Sequence, residues 1–153
     1  MSDMVNSAPH YTVYPVQPIE IARHLGFCLG NAVKYVLRAP FKGEVEDCDK
    51  ALKYLAWEEE RPQAPMTVQA FAALEHDITR LRDALVLWES DPLVEDDITS
   101  GQSEFLMLLE IYFGHEEGID ATGALSQMCG SVRLLRRSLQ LRAVLAAQRN
   151  QGA

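Results

Sequence analysis

Apolar residues recur every three or four positions along most of this chain, and no stretch alternates apolar with polar residues as a half-buried strand would. The pattern predicts an all-α fold, a helical bundle of five to six helices behind an N-terminal loop or arm. Residues 1–16 hold Pro9, Tyr11, Tyr14 and Pro15 without a helical period, and they form that arm. Pro18 suits the first turn of a helix, where its missing N–H has no partner to lose, and Glu20 suits the positive end of the helix dipole. This first helix should run to about Phe27 and end near Gly30. A second, from about Asn31, should stop at Ala39, because Pro40 steers the residue before it away from helix.

After the connector Phe41-Lys42-Gly43, a third helix is predicted from Glu44 to Glu60. Val45, Cys48, Leu52 and Leu55 form its buried stripe, and Glu46, Asp47, Lys50, Lys53 and Tyr54 lie opposite. Arg61-Pro62-Gln63-Ala64-Pro65 is a break. A long helix then fits Thr67 to Trp88, with Phe71, Leu74, Ile78, Leu81, Leu85 and Trp88 on one side. Asp91 to Gly101 reads as an acidic loop and Ser103 to His115 as a helix carrying Phe105, Leu108, Leu109 and Tyr112. Its end brings Tyr112, His115, Glu116 and Glu117 together, a polar group of the kind that closes a helix. The last helix, Gly123 to Gln148, has Leu134, Ser138, Leu141 and Leu145 as a near-heptad seam, with Leu135, Leu139 and Ala146 beside it. The break at 61–65 divides an N-terminal helical unit, 1–61, from a C-terminal scaffold or oligomerisation unit, 62–153. The first would hold only about 60 residues and bury little alone, so the two belong to one compact domain.

Composition narrows the partners. Charged residues make up 24% and the formal net charge is -8, which makes nucleic acid an unlikely general partner on bulk electrostatics. The charge is unevenly spread. No Asp or Glu follows Asp120, yet Arg133, Arg136, Arg137, Arg142 and Arg149 do. A basic last helix and an acidic body favour docking between subunits, and the two apolar rows of that helix widen its face, so a homo-oligomer is expected. Cys28, Cys48 and Cys129 show no metal-type spacing and read as reduced core thiols. No secretory leader or run of roughly 18 apolar residues is present, so a cytoplasmic protein with no membrane partner is expected, and no metal site.

The candidate chemistry lies in the first third. Asn31, Lys34 and Arg38 share one helix face, with Tyr35 at its margin. A mobile ammonium and a planar guanidinium can clamp phosphate, and a carboxamide can meet a base or sugar edge. Glu46 and Lys50 are an i, i+4 pair in the stabilising order, the ordinary reading of a helix surface. The sharper one turns Glu46 or Asp47 to a ligand, as base, ribose acceptor or Mg²⁺ ligand. His10 sits alone in a Pro- and Tyr-rich arm, where a histidine is more often structural than catalytic. No GxxxxGK[ST] or GxGxxG occurs, which excludes a P-loop or Rossmann nucleotide site.

The order HY…QPIE…GN…KYVLRA…KG…ED..KA..YL, from Pro9 to Leu55, resembles the small phage nucleotide kinases, a Walker-less family. The resemblance implies a phage protein working in the host cytoplasm, an all-α fold, and phosphorylation of deoxynucleoside monophosphates in at least some members. It points to His10, Tyr11, Gln17, Glu20, Asn31, Lys34, Tyr35, Arg38, Lys42, Glu46, Asp47 and Lys50. The expectation is a nucleotide-binding protein acting as a nucleoside monophosphate kinase. Lys34, Arg38 and Lys42 would hold phosphates, Asn31 and Tyr11 would contact base or sugar, and Glu46 or Asp47 would orient the acceptor or Mg²⁺. The alternatives are a non-catalytic protein that sequesters a nucleotide, and one that inhibits a host factor through the acidic segment Glu95-Asp96-Asp97.

Overall fold

A computed structural model describes residue 14 and residues 16–89, 96–114 and 120–152. His10 and Tyr11 lie outside the described residues, as do Glu95 and the group His115 to Glu117. Six helices and no strand occur among the described residues: α1 Pro18–Ala22, α2 Phe27–Arg38, α3 Glu44–Glu60, α4 Val68–Glu89, α5 Asp96–Phe113 and α6 Ala121–Gln151. None is long and apolar enough to cross a membrane.

The first two helices divide differently from expectation. α1 ends at Ala22, and α2 begins at Phe27 with Gly26 as its N-cap. Gly30, expected as a terminator, lies inside α2. A Cβ there would stand 3.2 Å from the Ala22 carbonyl oxygen, so this glycine allows α1 to press against α2. α2 ends at Arg38 as expected, but Ala39 keeps right-handed helical angles (φ -49°, ψ -45°), so Pro40 stops the helix by lacking an N–H and not by turning its neighbour extended; α3 keeps its predicted bounds. The tight connector between them holds Glu44 at φ +48°, and a Cβ on Gly43 would overlap the Asp47 carboxylate.

α4 starts one residue late because Thr67 caps it, its Oγ1 accepting from the Ala70 N–H at 3.1 Å. The acidic segment is not all loop. α5 starts at Asp96, since Ile98 and Gln102 extend the buried stripe about one turn and a half upstream of Ser103. α6 is capped by Asp120, whose carboxylate accepts from the Gly123 N–H at 2.6 Å.

The choice of core face on α6 reverses the expected seam. Leu125, Met128, Val132, Leu135 and Leu139 are buried, whereas Leu134, Leu141 and Leu145 are exposed. The buried row keeps unbroken three- and four-residue steps from the first turn; the other begins only halfway along. One core cluster runs from Tyr14 and Val16 through all six helices to Leu139, with Phe105 among its largest fully buried side chains. α6 packs on α5 and α3, α2 on α3 and α1, and α4 on α5.

Gln102 ties this core together. Its buried amide donates to Tyr14 Oη at 2.9 Å and to the Val36 carbonyl at 3.1 Å, while the Tyr14 hydroxyl donates to the Leu37 carbonyl at 2.7 Å. Burial pushes the Tyr14 phenol well above its ordinary value, so it stays a donor. The three cysteines are free thiols. Cys48 is pushed up to about 12, first by burial and then by Asp49 and Asp47, which leaves it unreactive as a nucleophile.

Candidate functional site

The short α1 and the early start of α2 leave a groove between them of about 430 Å³, within the usual range for small-molecule sites. Its walls are apolar: Pro18, Ile19, Ala22, Leu25, Phe27 and Gly30. Gln17, Arg23, Asn31 and Lys34 supply its polar rim. Phe27 is 74% exposed, which is costly for an aromatic ring unless something covers it. The Asn31 amide N–H donates to the Phe27 carbonyl at 2.8 Å, which directs its carboxamide oxygen outward as an acceptor. Lys34 has no carboxylate partner among the described residues; its ammonium rests 4.5 Å from the Tyr35 ring centre.

A second surface adjoins the groove. The Phe27 ring meets Tyr54 edge-on at 5.7 Å, Tyr54 meets Trp57 edge-on at 5.3 Å, and Tyr35 stacks behind Tyr54 at 5.9 Å. Lys50 lies 5.5 Å from the Tyr35 ring centre, and Lys53 lies 5.2 Å from that of Trp57. This ridge of rings and cations follows from two helices packed side by side. Phe27 and Lys34 are seven residues apart on α2, and Lys50, Lys53, Tyr54 and Trp57 lie on one side of α3.

The groove wall depends on a relay of hydrogen bonds. Gly26 N–H donates to Gln63 Oε1 at 2.7 Å, Gln63 N–H donates to Glu58 Oε2 at 2.7 Å, and the Tyr112 hydroxyl donates to the same oxygen at 2.7 Å. Burial and then the bond to Glu58 push the Tyr112 phenol well above its ordinary value. Gln63, in the Pro-rich break, therefore pins the start of α2 to the core.

Several expected site residues lie elsewhere. Arg38 is no free phosphate clamp: its Nε and Nη2 donate to Asp47 at 2.9 and 3.0 Å. Asp47 is not on the polar side of α3 but 0% exposed, and it also accepts the Gly43 N–H at 3.0 Å. The tight 39–43 turn draws that carboxylate inward, so it serves the fold and cannot face a ligand. Glu46 keeps its ordinary role, an exposed ion pair with Lys50 at 3.3 Å. Lys42 is exposed on the turn beyond α2, outside the groove. Glu20 accepts the Gln17 backbone N–H at 2.7 Å and so helps close the first turn of α1. Tyr35 is a half-buried support for the ridge.

The structure does bring Gln17, Asn31 and Lys34 to one groove. The residues that sequence reasoning passed over are apolar: Ile19, Leu25, Phe27 and, on the ridge, Trp57. Their only signal was off-stripe placement of large apolar side chains on amphipathic helices.

A family model described as a protein of unknown function (DUF3310) matches residues 5–56, a segment that takes in α1, α2 and most of α3. No curated protein and no solved structure matches the chain. This corrects the resemblance to phage nucleotide kinases. The segment that carried it matches a family without a known function, and nothing connects that family to nucleotide kinases.

Proposed function

We propose that this protein binds a nucleotide in the α1/α2 groove and holds it without transferring its phosphate. The carrying observation is the pairing of an apolar groove ending in an exposed ring, Phe27, with an ammonium on the same helix, Lys34, that no carboxylate neutralises among the described residues. A base would lie against Phe27 and Ile19, Asn31 Oδ1 would accept from its edge, and Lys34 would take a phosphate oxygen. Phosphoryl transfer is the weaker reading, because Asp47 is committed to Arg38 and Glu46 is drawn to Lys50.

Calorimetry against mono- and triphosphates tests the proposal. Lys34→Ala should weaken binding by about 1.5–3 kcal/mol, the typical loss of a charge-assisted hydrogen bond, with the melting temperature unchanged. No heat or thermal shift with any nucleotide would sink it. Formation of diphosphate from a monophosphate and a triphosphate donor would replace holding with catalysis.

We infer also that two copies associate through the last helix. From Gln140 onward α6 is exposed except at Arg142, and the groove between α5 and α6 sets Leu134, Leu141 and Arg137 beside Asp97 and Glu104. An apolar floor with acid on one wall and arginine on the other is self-complementary about a two-fold axis. The docking of basic helix to acidic body expected between subunits occurs within the chain for Arg136, which meets Asp49 at 2.7 Å, and for Arg142, which meets Glu44 at 3.3 Å. Light scattering should give twice 17.1 kDa, and Leu141→Glu should give the monomer. A strict monomer at micromolar concentration of the unaltered protein would overturn this.

A further inference from the structure

The groove is not the end of the aromatic surface. Phe27 belongs both to the groove and to the ridge, and the ring chain continues from it through Tyr54 to Trp57, which is 43% exposed. Cations stand along this surface: Lys34 lines the groove together with Phe27, Lys53 lies beside Trp57, and Lys50, which also pairs with Glu46, shares the Tyr35 ring with Lys34. Lys34 and Lys53 are without carboxylate partners among the described residues. A mononucleotide filling the groove would use Phe27 and Lys34 and leave Trp57 and Lys53 idle. Repeating the unit of stacking ring plus ammonium at short intervals is how proteins hold successive nucleotides of a single strand.

We propose that the ligand is a short single-stranded oligonucleotide, with one base in the α1/α2 groove against Phe27 and a following base on Trp57, its backbone running past Lys34, Lys50 and Lys53. The inference rests on the nucleotide reading of the groove. The net charge of -8 opposes it only weakly at this surface. Phosphates within a few ångströms of Lys34, Lys53 and the Glu46-paired Lys50 respond to the local field, while charges farther away than a Debye length of about 8 Å are largely screened in physiological salt. Tyr54 is held by the Tyr35 ring behind it, so the ridge is pre-ordered, and only the flexible Lys53 must swing off the Trp57 face to admit a base.

Fluorescence anisotropy with labelled oligothymidylate and oligouridylate of one to six nucleotides tests this, the two series separating DNA from RNA. Affinity should rise at least tenfold between one and three nucleotides. Trp57→Ala should lower oligonucleotide affinity roughly five- to a hundredfold, the range for one lost base stack, and leave the mononucleotide unaffected; Trp57→Phe should keep most of it. Lys53→Ala should lower the dependence of log affinity on log salt by roughly 0.7, as for one released counterion on a single strand. Trp57 is half exposed, so an unchanged melting temperature is the expected control for folding.

If a mononucleotide binds as tightly as every oligonucleotide, or if Trp57→Ala changes neither, the inference is overturned, the groove reading stands, and the ridge is left to a protein surface. If no nucleotide of any length binds, both fall.

Discussion

Asp47→Ala should remove about 3–5 kcal/mol of stability, a large part of the 5–15 kcal/mol typical of a domain, and shift the denaturant midpoint accordingly. The side chain is fully buried, takes two hydrogen bonds from Arg38, and takes a third from the Gly43 N–H. Removing it leaves a guanidinium that is only 14% exposed without its counter-charge and opens the turn that starts α3. Asn at 47 keeps the shape and one acceptor, so it should fall between alanine and wild type. Arg38→Ala should cost less than Asp47→Ala, because the turn N–H keeps its acceptor. The double variant should lose less than the sum of the two, since the pair acts as one unit. An Asp47→Ala protein within 1 kcal/mol of wild type would show that the pair is dispensable. Arg38 variants therefore report on folding, and under the nucleotide proposal Lys34 is the position that would report on ligand.

Glu58→Ala should cost about 2–4 kcal/mol, because two part-buried donors lose hydrogen bonds to a charged acceptor, about 1.5–3 kcal/mol each, and relaxation and water return some of it. Tyr112 Oη and Gln63 N both end on Glu58 Oε2, and the residue is 2% exposed. The effect should reach the groove. Gln63 also accepts the Gly26 N–H, so freeing it loosens the N-terminus of α2, where Phe27 stands. Nucleotide affinity should therefore drop in a variant that touches no ligand, while Glu58→Gln, which retains an acceptor, recovers most of both properties. Thermal unfolding checks the first part, with a shift of about 5–15 °C expected for a chain of this size. A Glu58→Ala protein that melts with wild type would remove the relay from the account of the groove.

Much of the fold was legible locally. Period and punctuation placed α3 at Glu44–Glu60 and stopped α2 before Pro40, because a proline has no N–H with which to continue the helix. The misread boundaries have tertiary causes. Gly30 looks like a stop, but a glycine inside a helix can equally mark where another backbone presses close. The Ala22 carbonyl that makes the difference belongs to α1. Asp96 to Gly101 looks like loop because it is polar, yet Ile98 and Gln102 find buried partners on other helices.

The site was legible only in part. Spacing alone puts Asn31, Lys34 and Arg38 on one helix face, and the first two line the groove. The mutual pairing of Arg38 and Asp47 was not legible. Nine residues apart across a turn, they neutralise each other, and no helical period reports on a contact made through a connector.

The chain by itself determined that the protein is helical, roughly where most helices lie, and which positions could be apolar faces, because these depend on interactions within a few residues. The tertiary structure decided the rest. It chose the Leu135 and Leu139 row of α6 over the Leu134 and Leu141 row, drew Asp47 inward, paired Arg136 with Asp49, and left Phe27 and Trp57 exposed. Two apolar rows of equal hydrophobicity, or two cations of equal charge, are degenerate in a sequence. Only the packing of distant helices removes the degeneracy, since burial and neutralisation are properties of what stands opposite.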